Sequence, residues 1–134
     1  MYPLWRKVIT FPVPDMNPLQ GLTYTRKSLG SCIVLELSGA FCGRNLAALR
    51  EEVKSLAETQ NAYIIFDLFD VTLVDSAGLG FFIRSLDQIR SSGGNLAICR
   101  VEYTLQKILS LIRLPMEDSV EEAVVRLERE GEHS

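Results

Sequence analysis

The apolar residues of this chain follow two different periods, which predict strands and helices in alternation. Every second residue from 33 to 37 is apolar, which is the period of a strand with one buried face. A turn at residues 28–31 joins this strand to the segment 22–29, so we predict a β-hairpin. Between residues 44 and 59 the apolar positions recur every three or four residues, which indicates an amphipathic helix.

Two buried strands and three more helices are predicted after the first helix. The strands cover residues 63–66 and 95–101, and the helices cover 76–91, 104–113 and a segment that begins at the capping box of Ser119 and Glu122. We expect the second helix to bury Leu79, Phe82, Ile83 and Leu86, and the third to bury Leu105, Ile108 and Ile112. The order β-β-α-β-α-β-α-(β)-α predicts an α/β single domain, with a mixed four- to five-stranded sheet and four helices packed mainly on one face.

Length and composition are those of one globular domain. The chain has 134 residues, of which 47% are hydrophobic and 23% are charged, and such a chain needs no metal or disulfide to hold its core. Four of the five prolines lie in the first 18 residues, where the missing amide donors disfavour regular structure. We therefore predict a Pro-rich N-terminal arm at 1–20, a folded domain at 21–130 and a disordered tail at 131–134.

Charge and residue counts argue against several classes of function. The net charge is −3, whereas proteins that bind duplexes usually carry a basic surplus, so we expect no nucleic-acid partner. We also expect no membrane span and no signal peptide, and therefore a cytoplasmic protein. The only histidine is His133, which removes Ser-His and Cys-His pairs, so we expect no catalytic residue, no metal and no cofactor. Cys32, Cys42 and Cys99 are widely spaced, which favours core residues in a reducing compartment.

The segment 64–80, IIFDLFDVTLVDSAGLG, carries the strongest functional signal. A buried strand leads to Asp75 and Ser76, which are both helix-capping residue types, at the kind of strand end where α/β proteins form sites. Glycines at 78 and 80 each cost about 1 kcal/mol in a helix relative to alanine, and one interpretation is that they let another surface approach the backbone. The alternative is a capped helix with small residues for packing. A phosphate-binding loop is poorly supported, because the Lys-Ser/Thr pair is missing.

Several motifs, in the same order, closely resemble those of the STAS family. The resemblance is closest to its free-standing bacterial members, the anti-sigma factor antagonists (anti-anti-sigma factors). Residues 75–80 are similar to the family's D-S-[ST]-G-L-G motif, and residues 37–39, 93–96 and 119–123 are similar to its L-T-G, G-G-x-L/M and S-x-x-E-A motifs. The resemblance covers about residues 22–128 and implies a STAS-like fold.

The resemblance also implies roles for individual residues. The family's phosphorylated serine directly follows the Asp, which makes Ser76 the expected phosphoacceptor, and Ala77 leaves it as the only hydroxyl of the loop. The family often has an Asp where this chain has Cys42, a departure that implies either slower phosphorylation or binding by surface alone. The expected partner-binding residues are Asp75, Ala77, Gly78, Leu79, Gly80, Phe81 and Cys42. Phe81 lies about 200° around the helix from Leu79 and is predicted to be an exposed anchor, the alternative being that the N-terminal arm covers it.

The function implied by the resemblance is that of an anti-sigma factor antagonist, which is a substrate and a ligand and not an enzyme. Such a protein binds an anti-sigma factor with serine kinase activity and thereby frees a sigma factor. Phosphorylation of Ser76 would end this interaction, and a phosphoserine phosphatase would reset it; a weak homodimer is a further expectation. The alternative is a STAS scaffold or regulatory subunit of a stress-signalling complex or membrane transport system.

Overall fold

The elements of the chain follow the predicted alternation of strands and helices. A computed structural model describes residues 22–132. The elements are β1 (Leu22–Leu29), β2 (Cys32–Phe41), a short 3-10 turn (Gly43–Asn45), α1 (Ala47–Glu58), β3 (Tyr63–Val74), α2 (Ser76–Ser91), β4 (Asn95–Cys99), α3 (Tyr103–Leu111), β5 (Met116–Glu117) and α4 (Val120–Glu132). The predicted arm at 1–20 lies outside the described residues, and α4 extends two residues into the segment predicted as a tail. The domain limits stay predictions.

The five strands form one mixed sheet in the order β1-β2-β3-β4-β5. β1 is antiparallel to β2 through the predicted hairpin, and the other three neighbouring pairs are parallel. Right-handed crossovers between successive parallel strands place their helices on the same face of the sheet. α1, α2 and α3 accordingly share one core cluster, whereas α4 packs in a second cluster on the opposite face. The prediction of an α/β fold with helices mainly on one face is therefore confirmed.

The two faces of the sheet explain why β3 lacks an alternation of polar and apolar residues. In β3, Ile64 and Phe66 point into the cluster with α1, α2 and α3, and Ile65 points into the cluster with α4. All three side chains are fully buried. Because both faces are covered at this position, an unbroken apolar run is what a central parallel strand requires.

The predicted buried stripes of α2 and α3 are partly wrong. Phe82 and Leu86 are buried as predicted and Leu79 is half-buried, but Ile83 is 41% exposed. The buried stripe of α2 instead consists of Gly78, Phe81, Phe82, Ser85, Leu86 and Ile89. Gly78 belongs to this stripe because it lets the helix lie close to β2, and Ser85 is buried as well. The apolar pattern alone counts neither residue.

In α3 the inward residue is Leu109, which is fully buried. Leu105 is half-buried, whereas Ile108 and Ile112 are 41% and 38% exposed, so their predicted burial is wrong. The helix connects β4 to β5, and β5 has only two residues. This short strand offers too little surface to cover a wider apolar stripe.

Candidate functional site

Residues 75–80, which are the N-cap and first turn of α2 and are called the loop here, lie beside the carboxyl end of β2. β2 and β3 are parallel, and their last residues, Phe41 and Val74, are paired in register. The backbone N–H of Asp75 donates to the carbonyl oxygen of Phe41 over 3.3 Å. The start of α2 is therefore held against the segment that leads from β2 into the 3-10 turn, where Cys42 and Gly43 lie.

Asp75 caps α2 and also joins the helix to the neighbouring turn. Its Oδ1 accepts a hydrogen bond from the backbone N–H of Gly78 over 2.8 Å, which is the geometry of a side-chain N-cap. Its Oδ2 accepts from the backbone N–H of Gly43 over 3.3 Å. Asp75 was predicted to contact a partner; although it is exposed, both of its oxygens already bind the chain's own backbone. The geometry thus favours a positioning role.

Removing the Asp75 carboxylate is expected to lower the free energy of unfolding by about 1–2 kcal/mol, the usual cost of losing an N-cap. We expect Asp75→Ala to show the full loss in urea unfolding. Asp75→Asn is the matched control, because an amide oxygen still accepts from Gly78 while the bond to Gly43 is lost. We expect its loss to be about half as large. Equal losses in the two variants would show that the cap to Gly78 is not the main contribution.

Ser76 is exposed at the first position of α2. Ala77 beside it is also exposed, and Leu79, Gly80 and Cys42 are half-buried. Beside the exposed Asp75 carboxylate, these residues around the serine are therefore small or apolar. An exposed hydroxyl at a helix N-terminus can accept a phosphoryl group without unfolding the helix, because the helix dipole favours negative charge there.

Two of the predicted partner-binding residues do not reach the surface. Phe81 is only 3% exposed, so its prediction as an exposed anchor is wrong. Its ring lies edge-on to Phe41, with 5.6 Å between centroids, inside the core cluster that α1, α2 and α3 share. Gly78 is buried as well, and a Cβ there would lie 2.5 Å from the carbonyl oxygen of Phe41. The surface that approaches the Gly78 backbone is thus the chain's own β2, as in the packing alternative.

The cysteines divide into two core residues and one near the loop. Cys32 and Cys99 are fully buried, and burial raises the pKa of Cys32 to about 11 and that of Cys99 to about 12. Both thiols are therefore protonated at neutral pH and behave as small apolar side chains. Cys42 is half-buried directly before the 3-10 turn that contacts Asp75. The structure thus brings Cys42 into the neighbourhood of the Ser76 loop.

An ion pair between the buried carboxylate of Asp67 and the partly exposed Arg100 was not anticipated from the sequence. The side chain of Asp67 is 2% exposed, and it accepts from Arg100 at Nε over 3.0 Å and at Nη2 over 2.5 Å. This hydrogen bonding raises the pKa of the Arg100 guanidinium above its usual value. The guanidinium also lies over the Phe69 ring, 4.5 Å from its centroid. The available signal was an acidic residue directly after the apolar run 63–66, which requires a cation nearby.

Among residues 22–132, no helix is long and apolar enough to cross a membrane. The same residues contain no cluster of three or more His, Cys, Asp or Glu side chains that could hold a metal ion.

The protein is thus a small α/β domain with a five-stranded mixed sheet and an Asp-capped serine at the start of a helix. The family model for the STAS domain matches residues 24–124. Since this match covers more than half of the 134 residues, the chain belongs to the STAS domain family. The resemblance stated from the motifs is confirmed.

Solved structures with the same fold come from proteins of different kinds. The anti-sigma factor antagonist SpoIIAA in its unphosphorylated form has a TM-score of 0.66 and 16% identity, over 80% of this chain and 98% of that chain; the Bacillus protein has also been solved in a phosphorylated form. An anti-sigma factor antagonist from Mycobacterium paratuberculosis has a TM-score of 0.71 and 15% identity, over 87% and 97%. The murine anion transporter Slc26a9 has a TM-score of 0.63 and 13% identity, over 77% and 18%. These identities show a shared fold.

Proposed function

We propose that this protein is an anti-sigma factor antagonist that is switched off by phosphorylation of Ser76. In this proposal it binds an anti-sigma factor with serine kinase activity and thereby frees a sigma factor. The observation that carries the proposal is the exposed serine at the start of α2, held in place by the Asp75 cap on a STAS fold. The free-standing antagonists that share the fold, among them one solved in a phosphorylated form, support it.

The proposed reaction makes this chain the substrate of its partner. The partner transfers the γ-phosphoryl group of ATP to Oγ of Ser76, the hydroxyl loses its proton and ADP leaves. The phosphate adds about −1.5 to −2 charge at pH 7. Because the N-terminus of α2 favours negative charge, the fold tolerates the modification and the change acts on binding. A phosphoserine phosphatase that removes the phosphate completes the cycle.

The contact surface in this proposal is the exposed rim of the loop. Ser76 and Ala77 lie at its centre, and Leu79, Gly80 and Cys42 lie around it as half-buried residues. Small side chains at this centre allow a partner to approach closely, and a phosphate would hold the same partner away. Gly78 and Phe81 support the loop from below because both are buried.

The proposal is tested by two substitutions of the same residue. Ser76→Ala is expected to bind the anti-sigma kinase constitutively, and Ser76→Asp at least about tenfold more weakly, which corresponds to about 1.4 kcal/mol. Both variants should keep a near wild-type melting temperature, since a surface residue changes and a negative charge suits the helix N-terminus. A binding titration with the purified partner measures the difference, and phosphopeptide mapping after incubation with ATP and Mg²⁺ locates the phosphate.

Ser55→Asp is the matched control for this titration. Ser55 is exposed on α1, so it carries the same substitution on a helix that does not form the loop. Its affinity for the partner should equal that of the wild type. Equal affinities for Ser76→Ala and Ser76→Asp, or phosphate on another residue, would contradict the proposal.

A STAS regulatory subunit without a kinase partner is the second candidate. It is favoured by Cys42, which occupies the place where the resembled antagonists often have an Asp, and by the occurrence of the fold in an anion transporter. Affinity purification separates the two candidates. The first predicts a protein with a kinase fold bound to the unphosphorylated chain, and the second predicts other STAS proteins or a transporter.

A further inference from the structure

Gly80 has an unusual neighbour on the surface of α2. A Cβ atom added to Gly80 would lie 3.1 Å from Nη1 of Arg84 and 3.7 Å from both Cζ and Nη2. The whole guanidinium group of Arg84 therefore lies over the bare backbone at Gly80, one helical turn closer to the N-terminus than its own Cα. The guanidinium thus covers the Gly80 backbone, whose role the proposed function leaves open.

The same face of α2 carries Ser76. Ser76, Gly80 and Arg84 follow one another at intervals of four residues, and side chains at this spacing lie one above the other, with Cβ atoms about 5–6 Å apart. Helical side chains also tilt toward the N-terminus. The Arg84 guanidinium therefore lies about one turn from Ser76, on the same exposed face of the helix.

The charge of Arg84 is available for a new partner. Among the side chains that the structure describes, no carboxylate lies within ion-pair distance of Arg84, whereas Arg26, Arg100 and Arg126 all have such partners. A guanidinium has five donors and binds phosphate with two parallel hydrogen bonds. The charged residue directly before Ser76 is Asp75, and its oxygens already bind Gly43 and Gly78.

We propose that the Arg84 guanidinium, lying over Gly80, binds the phosphate when Ser76 is phosphorylated. This inference rests on the proposed function in so far as it takes the phosphate to be on Ser76. Arg84 and the N-terminus of α2 then hold the phosphate from two sides. The pairing turns the Arg84 side chain into part of the switch, because a cation that is exposed on the unmodified protein becomes neutralised on the modified one.

The second ionisation of the phosphate measures this pairing directly. With phosphoserine introduced at position 76 of the full chain by genetic-code expansion, a ³¹P NMR titration gives the phosphate pKa. A nearby cation favours the dianion, so the pKa in the otherwise wild-type protein should lie about 0.5 unit below that in Arg84→Gln. The difference should shrink in 0.5 M salt, since the pair is exposed to solvent. The chemical shift of the Arg84 side-chain N–H should change with pH in step with the ionisation of the phosphate.

Arg90→Gln is the matched control. It removes the same charge from the same helix, but Arg90 lies about 21 Å along the axis from Ser76, and its Nε donates to Asn95 over 3.0 Å. This variant should leave the phosphate pKa unchanged. The proposal is overturned if Arg84→Gln also leaves the pKa unchanged, or if both variants raise it equally.

The test is independent of the proposed function, because no kinase and no anti-sigma factor enter it. A kinase that ignores Ser76 would contradict the proposed function while the ³¹P result still decides the role of Arg84. An unchanged phosphate pKa in Arg84→Gln, together with normal phosphorylation of Ser76 by a kinase, would contradict the role of Arg84 and leave the proposed function standing. Melting curves of the phosphoserine proteins confirm that each variant is folded during the titration.

Discussion

An alanine at position 78 is expected to lower the free energy of unfolding by about 3 kcal/mol, although alanine is the better helix former. The added Cβ would lie 2.5 Å from the carbonyl oxygen of Phe41 and 2.7 Å from Cδ2 of its ring. Neither group can move at low cost. The carbonyl accepts the N–H of Asp75, and the ring is stacked on Phe82 with 4.5 Å between centroids. Denaturant unfolding followed by circular dichroism measures the loss.

Gly80→Ala provides the control within the same helical turn. The nearest atoms to the added Cβ belong to the flexible end of Arg84, at 3.1 Å, and can shift by a few tenths of an ångström. The substitution should therefore raise the free energy of unfolding, by up to about 1 kcal/mol, through the better helix propensity of alanine. A stabilising effect at position 78, as expected at position 80, would mean that α2 does not depend on a close approach to β2.

Arg100→Gln is expected to be as damaging, with a loss of about 3 kcal/mol, because it leaves a buried carboxylate without a counter-ion. Asp67 accepts two hydrogen bonds from the Arg100 side chain and one from the backbone N–H of Phe69 over 3.1 Å. Only the last of these remains in the variant. The loss is measured by denaturant unfolding at neutral pH.

Replacing Asp67 instead of Arg100 distinguishes the effect of the buried partner from that of the exposed one. Arg100 is 40% exposed, so after Asp67→Ala its guanidinium can be hydrated, and we expect a smaller loss of about 1–2 kcal/mol from packing. The double variant should be more stable than Arg100→Gln alone, because the uncompensated charge is gone. Additive losses in this double-mutant cycle would show that the two side chains do not interact in the folded protein.

The substitutions at and near the loop distinguish residues that hold it in place from residues that form its exposed surface. Asp75 and Gly78 fix the position of Ser76 through contacts within the chain, and we expect their replacement to reduce stability first. Ser76 and Arg84 are exposed on α2, and we expect their replacement to change binding or phosphate ionisation with little effect on stability. Measuring both quantities for each variant therefore distinguishes a positioning residue from a contact residue.

The sequence predicted the element order well because the underlying signals are local. The hairpin, the capping box at Ser119 and the helix end at Gly93 depend on residues a few positions apart. Ser119 Oγ accepts from the N–H of Glu122 over 3.1 Å, and Gly93 has the positive φ of 90° that ends α2. The loop containing Ser76 could be located for the same reason, since its motif is continuous in the sequence.

The burial of Phe81 could not be predicted from the same local pattern. Two overlapping stripes fit the apolar residues of α2, one that includes Leu79 and Ile83 and one that includes Phe81. The choice between them depends on whether Gly78 meets Phe41, which lies 37 residues earlier in the chain. Helix periodicity carries no information about such a contact.

The amino-acid sequence by itself determined the α/β order, the position of the serine loop and the family, because periodicity, capping and motifs involve neighbouring residues. Only the tertiary structure decided which face of α2 is buried, that Asp75 binds Gly43, that Asp67 pairs with Arg100 and that Arg84 lies over Gly80. The first three depend on packing between segments that are more than 30 residues apart. The last depends on the side-chain conformation of Arg84. The sequence does not specify this conformation, whereas on the folded helix the guanidinium lies in the space that the missing Cβ of Gly80 leaves.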